Sequence, residues 1–497
     1  MSIYWILVVL FFLAAQTGLW KIFEKAGRPG WYALVPILNI IHWLKIIQKP
    51  LWWAIFILVP IINVFTLLLM VVETLKCFRK NGFFAQALGV CFPFAYLFYL
   101  GFVTKEVYTH PEKLPKIVKP GWREWADALV FAVVAATFIR TFMLEAYTIP
   151  TPSMEGSLLV GDYLFVSKIC YGPRVPMTPI SFPFAHHTLP LTNHTKAYLD
   201  WIQLDYFRFP GLRTIQNNDV VVFNNPDGDT VALQRQNESY YALIRELGRQ
   251  QVWENYDIVG RPVDKRENYI KRAVGIAGDT LQIINGLIYI NGQLLPNPQG
   301  VRYNYRVVTD GSPLSPRVFE RTQVTNFWQM AADTYIVEMS EGVAEEFRRL
   351  SNVAEVEKMV KPAGWFEPYI FPHNPAFPWN EDNFGPILIP GKGQTIALSI
   401  ENLPLFERII RVYEGNHLEV RNGVIFINGQ PADSYTFRMD YFWMLGDNRH
   451  NSADSRFWGF VPHDHIVGRA IFVWLSLDNQ KPFPRNIRFN KTFRTIE

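Results

Sequence analysis

Cysteine is scarce in this chain, and its scarcity excludes one class of protein. Only three of the 497 residues are cysteines: Cys77, Cys91 and Cys170. Their number is odd and Cys91 lies within an apolar run, so the sequence does not predict a disulfide framework. A strong excess of charge is lacking as well. The net charge of +4 at pH 7 is too small to indicate a nucleic-acid-binding protein.

Charged residues are nearly missing from the first fifth of the chain. Residues 1–104 carry ten charges, eight basic and two acidic, whereas residues 105–497 carry the other 82 of 92. This distribution excludes a freely soluble protein, a disordered protein and a pure channel or transporter. The sequence therefore predicts a membrane portion joined to a large globular portion.

The first 104 residues contain several apolar runs. Basic residues follow the run at 2–20, which reverses the order of a removable signal peptide, so this run is predicted to be a retained anchor with its C-terminal end in the cytoplasm. Residues 51–72 and 83–103 are each long enough to cross roughly 30 Å of hydrocarbon. Residues 31–47 are interrupted by proline and polar residues and are predicted to form a re-entrant or interfacial helix. The number of spans stays open, because the basic cluster at 76–80 falls on the wrong side if every other run crosses fully.

A further apolar run at 125–144 is predicted to be the last crossing. Five basic residues lie within 105–123, whereas residues 145–152 contain none. The cytoplasmic bias of basic residues then predicts that the chain from about Glu145 onward lies outside the cytoplasm. Arg140 lies inside the run about one turn from its end, and its side chain is interpreted as extending to the membrane interface.

The remainder of the chain has the pattern of a β protein. Short β-branched and aromatic runs are bounded by turn residues, and Asn-Gly, a strong signal for a tight hairpin, occurs four times. Residues 281–293 and 418–430 match at 8 of 13 positions. We interpret them as two similar hairpins on one β scaffold, because a repeat this short does not make a solenoid.

Two residues in separate segments are candidates for hydrolytic chemistry. Pro150 and Pro152 force an extended, rigid backbone with Ser153 near its end. Lys271 lies in an apolar strand at 269–274, where burial would lower its pKa toward neutrality. Its free amine could then take the proton of a serine hydroxyl. Considered singly, a serine after a proline is usually a turn residue, and a lysine in a strand usually faces solvent.

A third polar segment completes a family resemblance. Residues 444–462 are dense in Asp, Asn, Ser and Arg. Together the three segments resemble bacterial type I signal peptidases, the membrane-bound serine–lysine proteases of the S26 class. In that family a hydroxyl residue, any residue and then Ser-Met follow the last membrane helix, as residues 151–154 do. The strand motif Tyr-Ile-Lys-Arg-Ala-Val-Gly-x-x-Gly-Asp is matched at 269–279, and the closing Gly-Asp-Asn-Arg box at 446–459.

The resemblance implies a role for each matched residue. Ser153 corresponds to the nucleophile and Lys271 to its general base. The backbone N–H of Ser153 and the hydroxyl of Thr151 correspond to the oxyanion hole. In the family, shallow pockets accept the small side chains, usually Ala-x-Ala, that precede the scissile bond. The residues that correspond to the lining of these pockets are Ile149, Met154, Leu158, Tyr269 and Ile270.

Four residues of the closing box correspond to supporting groups. Ser452 and Asp454 fall where the family orients the lysine. Asp447 and Arg456 correspond to a supporting ion pair. His450 replaces a usual aspartate and is interpreted as a surface histidine. Other departures, at Asn217–Asn218, Gly156 and Ala277, affect neither the nucleophile nor the base.

The resemblance and the composition of the chain together predict a fold and a domain order. We expect a mainly β protein, in which a signal-peptidase-like antiparallel β domain carries an inserted accessory subdomain and follows a multi-helix transmembrane region. The predicted parts are a transmembrane region at 1–104, a cytoplasmic basic segment with the last transmembrane helix at 105–144, a catalytic β domain at 145–294 and 418–480, an accessory subdomain at 295–417, and a tail at 481–497.

The implied activity is cleavage of N-terminal signal peptides from exported preproteins, on the periplasmic side of the bacterial cytoplasmic (inner) membrane, by a multi-pass enzyme. The expected partners are signal peptides, the lipid bilayer and the secretion machinery, with no nucleic acid. No cofactor or metal is expected, because the histidines at 186–187 and 463–465 lack a third ligand placed by the sequence. One alternative is a soluble self-cleaving repressor, which would carry a DNA-binding module instead of membrane spans. The other is a catalytically silent membrane scaffold or assembly factor, which would be expected to lose Ser153, Lys271 or the closing box.

Overall fold

The structure is a computed structural model that describes residues 3–58, 62–114, 121–192, 194–478 and 481–496. The chain divides into two compact units, residues 1–129 and 130–497. Two basic residues of the predicted cytoplasmic segment, Lys116 and Lys119, lie outside the described residues.

The first unit is helical. Its helices are α1 (Ile3–Lys25), α2 (Pro36–Ile46), α3 (Trp53–Leu58), α4 (Ile62–Cys77), α5 (Phe83–Cys91) and α6 (Pro93–Phe98), followed later in the chain by α7 (Gly121–Phe142). Leu19, Phe23, Trp43 and Phe78 belong to the core of this unit. Within the apolar run at 51–72, residues 53–58 belong to α3 and residues 62–72 belong to α4, and residues 59–61 lie outside the described residues.

The predicted multi-helix transmembrane region is not confirmed. Among the described residues, Glu124–Phe142 is the one helix that is long and apolar enough to cross a membrane. Phe84–Val90 and Pro93–Val103 would add a second span if they acted together, but they meet at an angle of 116°. Proline disfavours helical geometry in the residue before it, and Phe92 has φ −131°. The bend therefore coincides with Pro93.

The two ends of the bent segment, residues 83–103, lie close together. Lys80, before α5, forms an ion pair with Glu106 at 2.8 Å. The backbone N–H of Thr109 donates to the carbonyl of Cys77 at 2.8 Å. Residues 83–103 thus have both ends beside the C-terminal end of α4.

The second unit is rich in antiparallel sheet, as predicted. Its strands are β1 (Leu144–Thr148), β2 (Asp162–Ser167), β3 (Val220–Asn224), β4 (Thr230–Ala232), β5 (Ile258–Gly260), β6 (Asn268–Gly275), β7 (Thr280–Ile284), β8 (Leu287–Ile290), β9 (Gln293–Leu294), β10 (Arg302–Thr309), β11 (Phe327–Ala331), β12 (Thr334–Ser340), β13 (Val353–Lys358), β14 (Phe384–Leu388), β15 (Thr395–Ala397), β16 (Leu418–Arg421), β17 (Val424–Ile427), β18 (Gln430–Pro431), β19 (Ser434–Thr436), β20 (Tyr441–Leu445), β21 (Val461–Pro462), β22 (Ile466–Ser476) and β23 (Arg494–Thr495). Its further helices are α8 (Tyr240–Leu247), α9 (Arg249–Asn255), α10 (Pro316–Thr322), α11 (Glu341–Arg348), α12 (Leu403–Arg408) and α13 (Ser455–Trp458).

One large sheet brings the predicted site segments together. Its strand order is β1–β2–β22–β3–β6–β20–β21, and β23 pairs with β22. Val220 and Val222 of β3 pack in one core cluster, and Val221 and Phe223 of the same strand pack in another. Because successive side chains alternate between faces, both faces of the sheet are covered at this point. The predicted tail at 481–497 contributes β23 to this sheet.

The two Asn-Gly repeats form the predicted hairpins. All four asparagines and all four glycines of these dipeptides have φ between 50° and 80°, as the tight two-residue turn requires. The repeats form two equivalent arrangements, β7–β8–β9 and β16–β17–β18. Leu281 of the first and Leu418 of the second pack in the same core.

The residues predicted as one inserted subdomain, 295–417, contribute to two different cores. Strands β10–β13 pair in the order β11–β12–β10–β13, and residues such as Tyr305 and Val337 enclose a separate core with α10 and α11. In contrast, β14 pairs with β7, and Phe384 packs against Trp443. The second half of the segment is therefore packed into the scaffold that carries the closing box.

Candidate active site

The candidate nucleophile lies in a short turn directly after β1. Thr151 is extended, with φ −127° and ψ 154°, and Pro152–Met154 form a single 3₁₀ turn. The backbone N–H of Leu158 donates to the carbonyl of Met154 at 2.8 Å. Ser153 is largely buried in this turn, with 8% of its surface exposed. The prolines thus place the serine at the end of an extended segment, as the sequence predicts.

Lys271 reaches this serine from the middle of the sheet. It lies in β6 opposite Val221 of β3, and only 5% of its surface is exposed. Its Nζ lies 2.7 Å from Ser153 Oγ and donates a second hydrogen bond, 3.0 Å long, to the carbonyl of Ile270. The distance between Nζ and Oγ is within the hydrogen-bonding range required between a nucleophile and its base.

Burial changes the acidity of the lysine. Desolvation lowers the pKa of Lys271 to about 8, and the negative charges of Asp454 and Asp447 act in the opposite direction. No ion pair joins Lys271 to a carboxylate among the residues that the structure describes. A substantial fraction of the amine is therefore uncharged at mildly alkaline pH.

Thr151 and Asn448 flank the serine. Thr151 Oγ1 lies 3.5 Å from Ser153 Oγ. The backbone N–H of Asn448 donates to the carbonyl of Ser153 at 3.1 Å, and its side-chain amide donates to the carbonyl of Pro152 at 3.2 Å. These two bonds fix the carbonyls of the turn. The roles of the Thr151 hydroxyl and the Ser153 N–H as oxyanion donors stay predictions.

The predicted ion pair between Asp447 and Arg456 is wrong. Asp447 binds Arg272 through two contacts of 2.8 Å, and Arg456 binds Asp454 through two contacts of 2.8 Å. Arg272 follows Lys271 in the strand and points to the opposite face, where it meets Asp447. Asp454 caps the short helix α13, and its carboxylate reaches Arg456 within the first turn.

Neither Ser452 nor Asp454 forms a hydrogen bond with Lys271, and their roles in orienting the lysine stay predictions. Among the described residues, the hydrogen bonds of Lys271 go to Ser153 and Ile270 alone. Asp454 accepts a hydrogen bond from the backbone of Gly446 at 3.1 Å, and its charge raises the pKa of Lys271. A Cβ added to Gly446 would lie 2.2 Å from Ser452 Oγ and 2.5 Å from the Ser153 carbonyl. Gly446 therefore allows the closing box to approach the nucleophile turn.

The residues predicted to line the substrate pockets divide into two groups. Met154 and Leu158 have no exposed surface and Ile149 is 3% exposed, so these three lie in the core behind the turn. Their side chains pack inward with Val220 and Val222 of β3, and their role in binding small substrate side chains stays a prediction. Ile270 and Tyr269 are half-buried and remain accessible.

Sequence reasoning missed a carboxylate from the inserted sheet. Glu338 of β12 is 1% exposed and accepts hydrogen bonds from the side chains of Asn448 at 2.6 Å and Asn451 at 3.1 Å. A second contact of the inserted sheet joins Arg302 to Glu155 at 3.1 Å. The local sequence around Glu338 did not identify this residue as part of the site, because its place there depends on contacts with asparagines of a distant segment.

His450 is not the surface histidine that the sequence predicted. Its side chain is 5% exposed, its Nδ1 accepts from the backbone N–H of Asn304 at 3.0 Å, and its Nε2 donates to Asp382 at 2.8 Å. Ligand atoms of Glu381, Asp382 and His450 lie within 4.8 Å of one another. Both ring nitrogens of the histidine already have partners, so this cluster is explained by hydrogen bonding.

The sequence matches a known family over this region. The family described as "Signal peptidase, peptidase S26" matches at residues 122–343 and 434–475, which together make up more than half of the chain. Residues 31–111 match a second family, described as a "Family of unknown function (DUF5684)". The two matches do not overlap.

Relatives in several bacteria agree with the first match. Signal peptidase I of Haemophilus influenzae is 27% identical over 373 residues, which are 74% of this chain and 74% of that protein. Signal peptidase I of Buchnera aphidicola subsp. Acyrthosiphon pisum is 24% identical over 386 residues, 77% of this chain and 85% of that protein. The protein of the same name in Rickettsia felis is 24% identical over 394 residues, 76% of this chain and 94% of that protein. Because the family match covers the turn of Ser153, the strand of Lys271 and the closing box, the chain belongs to the signal peptidase family, peptidase S26.

Proposed function

We propose that this protein is a membrane-bound serine endopeptidase that removes N-terminal signal peptides from exported preproteins after small residues, with Ser153 as nucleophile and Lys271 as general base. The observation that carries the proposal is the 2.7 Å contact between Ser153 Oγ and a buried Lys271 Nζ. The names of its relatives supply the substrate class.

The proposed reaction begins with a proton transfer. The uncharged amine of Lys271 takes the proton of the Ser153 hydroxyl while Oγ attacks the carbonyl carbon of the scissile bond. The backbone N–H of Ser153 and the hydroxyl of Thr151 stabilise the oxyanion. The Lys271 ammonium then gives its proton to the leaving amine, and water hydrolyses the acyl-enzyme. The reaction needs neither a metal nor a cofactor.

The proposed location follows from α7. If Glu124–Phe142 crosses the membrane, Ser153 lies a short distance beyond its C-terminal end, on the periplasmic side of the cytoplasmic (inner) membrane. A signal peptide held in the same bilayer would present its cleavage site at that depth. A multi-pass arrangement of residues 1–104, and a contact of this region with the secretion machinery, belong to the same proposal.

The pH dependence of cleavage tests the role of Lys271. With a pKa of about 8, about 1% of the amine is uncharged at pH 6 and about 10% at pH 7. Because only the uncharged amine acts as a base, kcat/KM is expected to rise about tenfold between pH 6 and pH 7 and to level off above about pH 9. The measurement is the rate of preprotein cleavage by the full-length enzyme in detergent. A flat profile from pH 5 to 9 contradicts the assignment.

Substitution of Thr151 tests the oxyanion hole. Thr151→Val keeps the shape of the side chain but removes the hydroxyl, so kcat is expected to fall by about 10²–10³, the effect of losing one such donor. KM should change little, because the oxyanion forms only in the transition state. Thr151→Ser retains the donor and serves as the matched control. Equal kcat values for the valine and serine variants would exclude a role for this hydroxyl.

A further inference from the structure

A cavity of about 210 Å³ opens beside the C-terminal end of α7. Thr137, Arg140 and Thr141 of this helix line one side, and loop residues 182–186 line another. Ser153 and Lys271 do not line it. The proposed reaction therefore does not account for this cavity.

Cationic side chains dominate the wall of the cavity. The charged residues that line it are Arg140, Lys168, Arg174 and Lys265 on the basic side, and Glu145 and Asp264 on the acidic side. Glu145 forms ion pairs with two of these cations, at 2.6 Å with Arg140 and at 2.7 Å with Lys168. Burial alone would raise the pKa of Glu145, but these two cations lower it to about 2. The wall carries more positive than negative charge.

Two of the cations bind only uncharged groups. Lys265 is 8% exposed, and its Nζ donates to Ser181 Oγ at 2.8 Å. Arg174 donates to the carbonyl oxygen of Asp464 and to Asn224 Oδ1. Among the described residues, no carboxylate forms an ion pair with either cation. Burial lowers the pKa of both cations, and the negative charge of Asp264 opposes this effect without cancelling it.

The cavity is bordered by exposed apolar side chains, as expected for a protein surface that contacts a membrane. Phe182 and Phe184, which line it, each have 54% of their surface exposed. Phe131, Val134 and Ile139 of α7, the helix whose C-terminal end borders the cavity, are also exposed. Large exposed apolar side chains that lie together mark surfaces that contact a membrane or another protein. Cationic side chains at the membrane–water interface attract anionic lipids.

We propose that this cavity binds the phosphate of an anionic phospholipid headgroup through Lys265, Arg174 and Arg140, while the acyl chains lie along α7. Guanidinium groups match the geometry of phosphate oxygens, and the buried lysine supplies a point charge. The bound phosphate adds negative charge to a wall in which four cationic side chains face two carboxylates. This inference rests on the proposed membrane crossing by α7, and it assigns to the loop at 180–186 a role in lipid binding.

Lipid titration of the purified full-length protein tests the site. The detergent-solubilised protein, stripped of lipid, is titrated with phosphatidylglycerol or phosphatidylcholine, and the bound lipid is counted by native mass spectrometry. The wild type is expected to bind phosphatidylglycerol more tightly, because the choline group is repelled by the cationic wall. Lys265→Gln should weaken phosphatidylglycerol binding about fivefold, the effect of one cation at a membrane surface. Lys265→Arg should retain it.

The matched control is Lys196→Gln. Lys196 is an exposed lysine whose charge is already paired with Asp200, so its loss should change binding less than about twofold. Phe182→Ser, at the exposed mouth, should also weaken binding and serves as the test if Lys265→Gln fails to fold. Equal binding by wild type, Lys265→Gln and Phe182→Ser overturns the proposal. So does equal affinity for the two lipids.

Two further measurements separate lipid binding from the binding of free phosphate and from peptide cleavage. Inorganic phosphate is expected to bind far more weakly than the lipid, and tight Lys265-dependent phosphate binding without lipid binding would overturn the lipid assignment. Cleavage of a preprotein in detergent should be unchanged in Lys265→Gln, and lipid binding should be unchanged in Ser153→Ala. Failure of the proposed peptidase function would therefore leave the lipid measurement intact, and the reverse holds too.

Discussion

Ser153→Ala and Lys271→Met are each expected to abolish preprotein cleavage while the protein still folds and inserts into the membrane. The first removes the attacking oxygen, and the second removes the amine that lies 2.7 Å from it. Loss of a nucleophile or its base in a serine hydrolase lowers kcat by roughly 10⁴–10⁶. Methionine suits this test because it fills the buried position of Lys271 with an apolar chain of similar length.

Each variant has a matched control in the same chain. Ser434→Ala removes an exposed serine, and Lys481→Met removes an exposed lysine paired with Asp478. Both controls should cleave at the wild-type rate. Lys271→Arg adds a chemical control, because a guanidinium keeps its proton at every pH of the assay and cannot act as a base. Cleavage by Ser153→Ala or Lys271→Met at a rate within tenfold of wild type would contradict the assignment of these two residues as the catalytic dyad.

Asp454→Asn is expected to destabilise the folded protein strongly. Asp454 and Arg456 are almost completely buried, at 0% and 2% exposed side-chain surface. Removing one charge of a buried pair leaves the other without compensation, which costs about 3–5 kcal/mol of unfolding free energy. The measurement is the denaturant midpoint of the detergent-solubilised protein.

The control for this prediction uses a pair of the same chemistry at the surface. Arg306 and Glu357 are 42% and 60% exposed, so Glu357→Gln should cost less than about 1 kcal/mol. The double variant Asp454→Asn with Arg456→Met should be more stable than Asp454→Asn alone, because no unpaired charge remains. If the double variant is no more stable than Asp454→Asn, the loss of unfolding free energy does not come from the unpaired charge of Arg456.

Asp454 also has an electrostatic effect on the lysine. Its negative charge raises the pKa of Lys271 against the effect of burial. Without that charge the pKa falls further, so the acid limb of the cleavage profile in Asp454→Asn should move to lower pH. This shift separates electrostatic support from a purely structural role.

Some features of the molecule depend on short stretches of chain and were predictable. The four Asn-Gly turns form as expected because asparagine and glycine adopt positive φ at little cost. The extended segment before Ser153 follows from its two prolines. The helix ending at Phe142 follows from a long apolar run. In each case the residues that determine the structure are neighbours in sequence.

Other features depend on which distant segments meet. The arginine partner of Asp447 is Arg272, 175 residues away, and the family resemblance indicated a different one. Glu338 comes from a strand predicted to belong to an accessory subdomain, yet it binds Asn448 of the closing box. His450 is buried because Asn304 and Asp382 approach it from two other segments.

The sequence by itself determined that a charge-poor portion precedes a β-rich portion, and it identified Ser153 and Lys271 as the candidate dyad. Only the tertiary structure decided how closely those two side chains approach, which arginine pairs with each aspartate, and that Met154 and Leu158 lie behind the site. The physical reason is that composition and turn preferences act between neighbouring residues. Burial, ion pairing and the pKa of Lys271 arise only where strands from distant parts of the chain exclude water together.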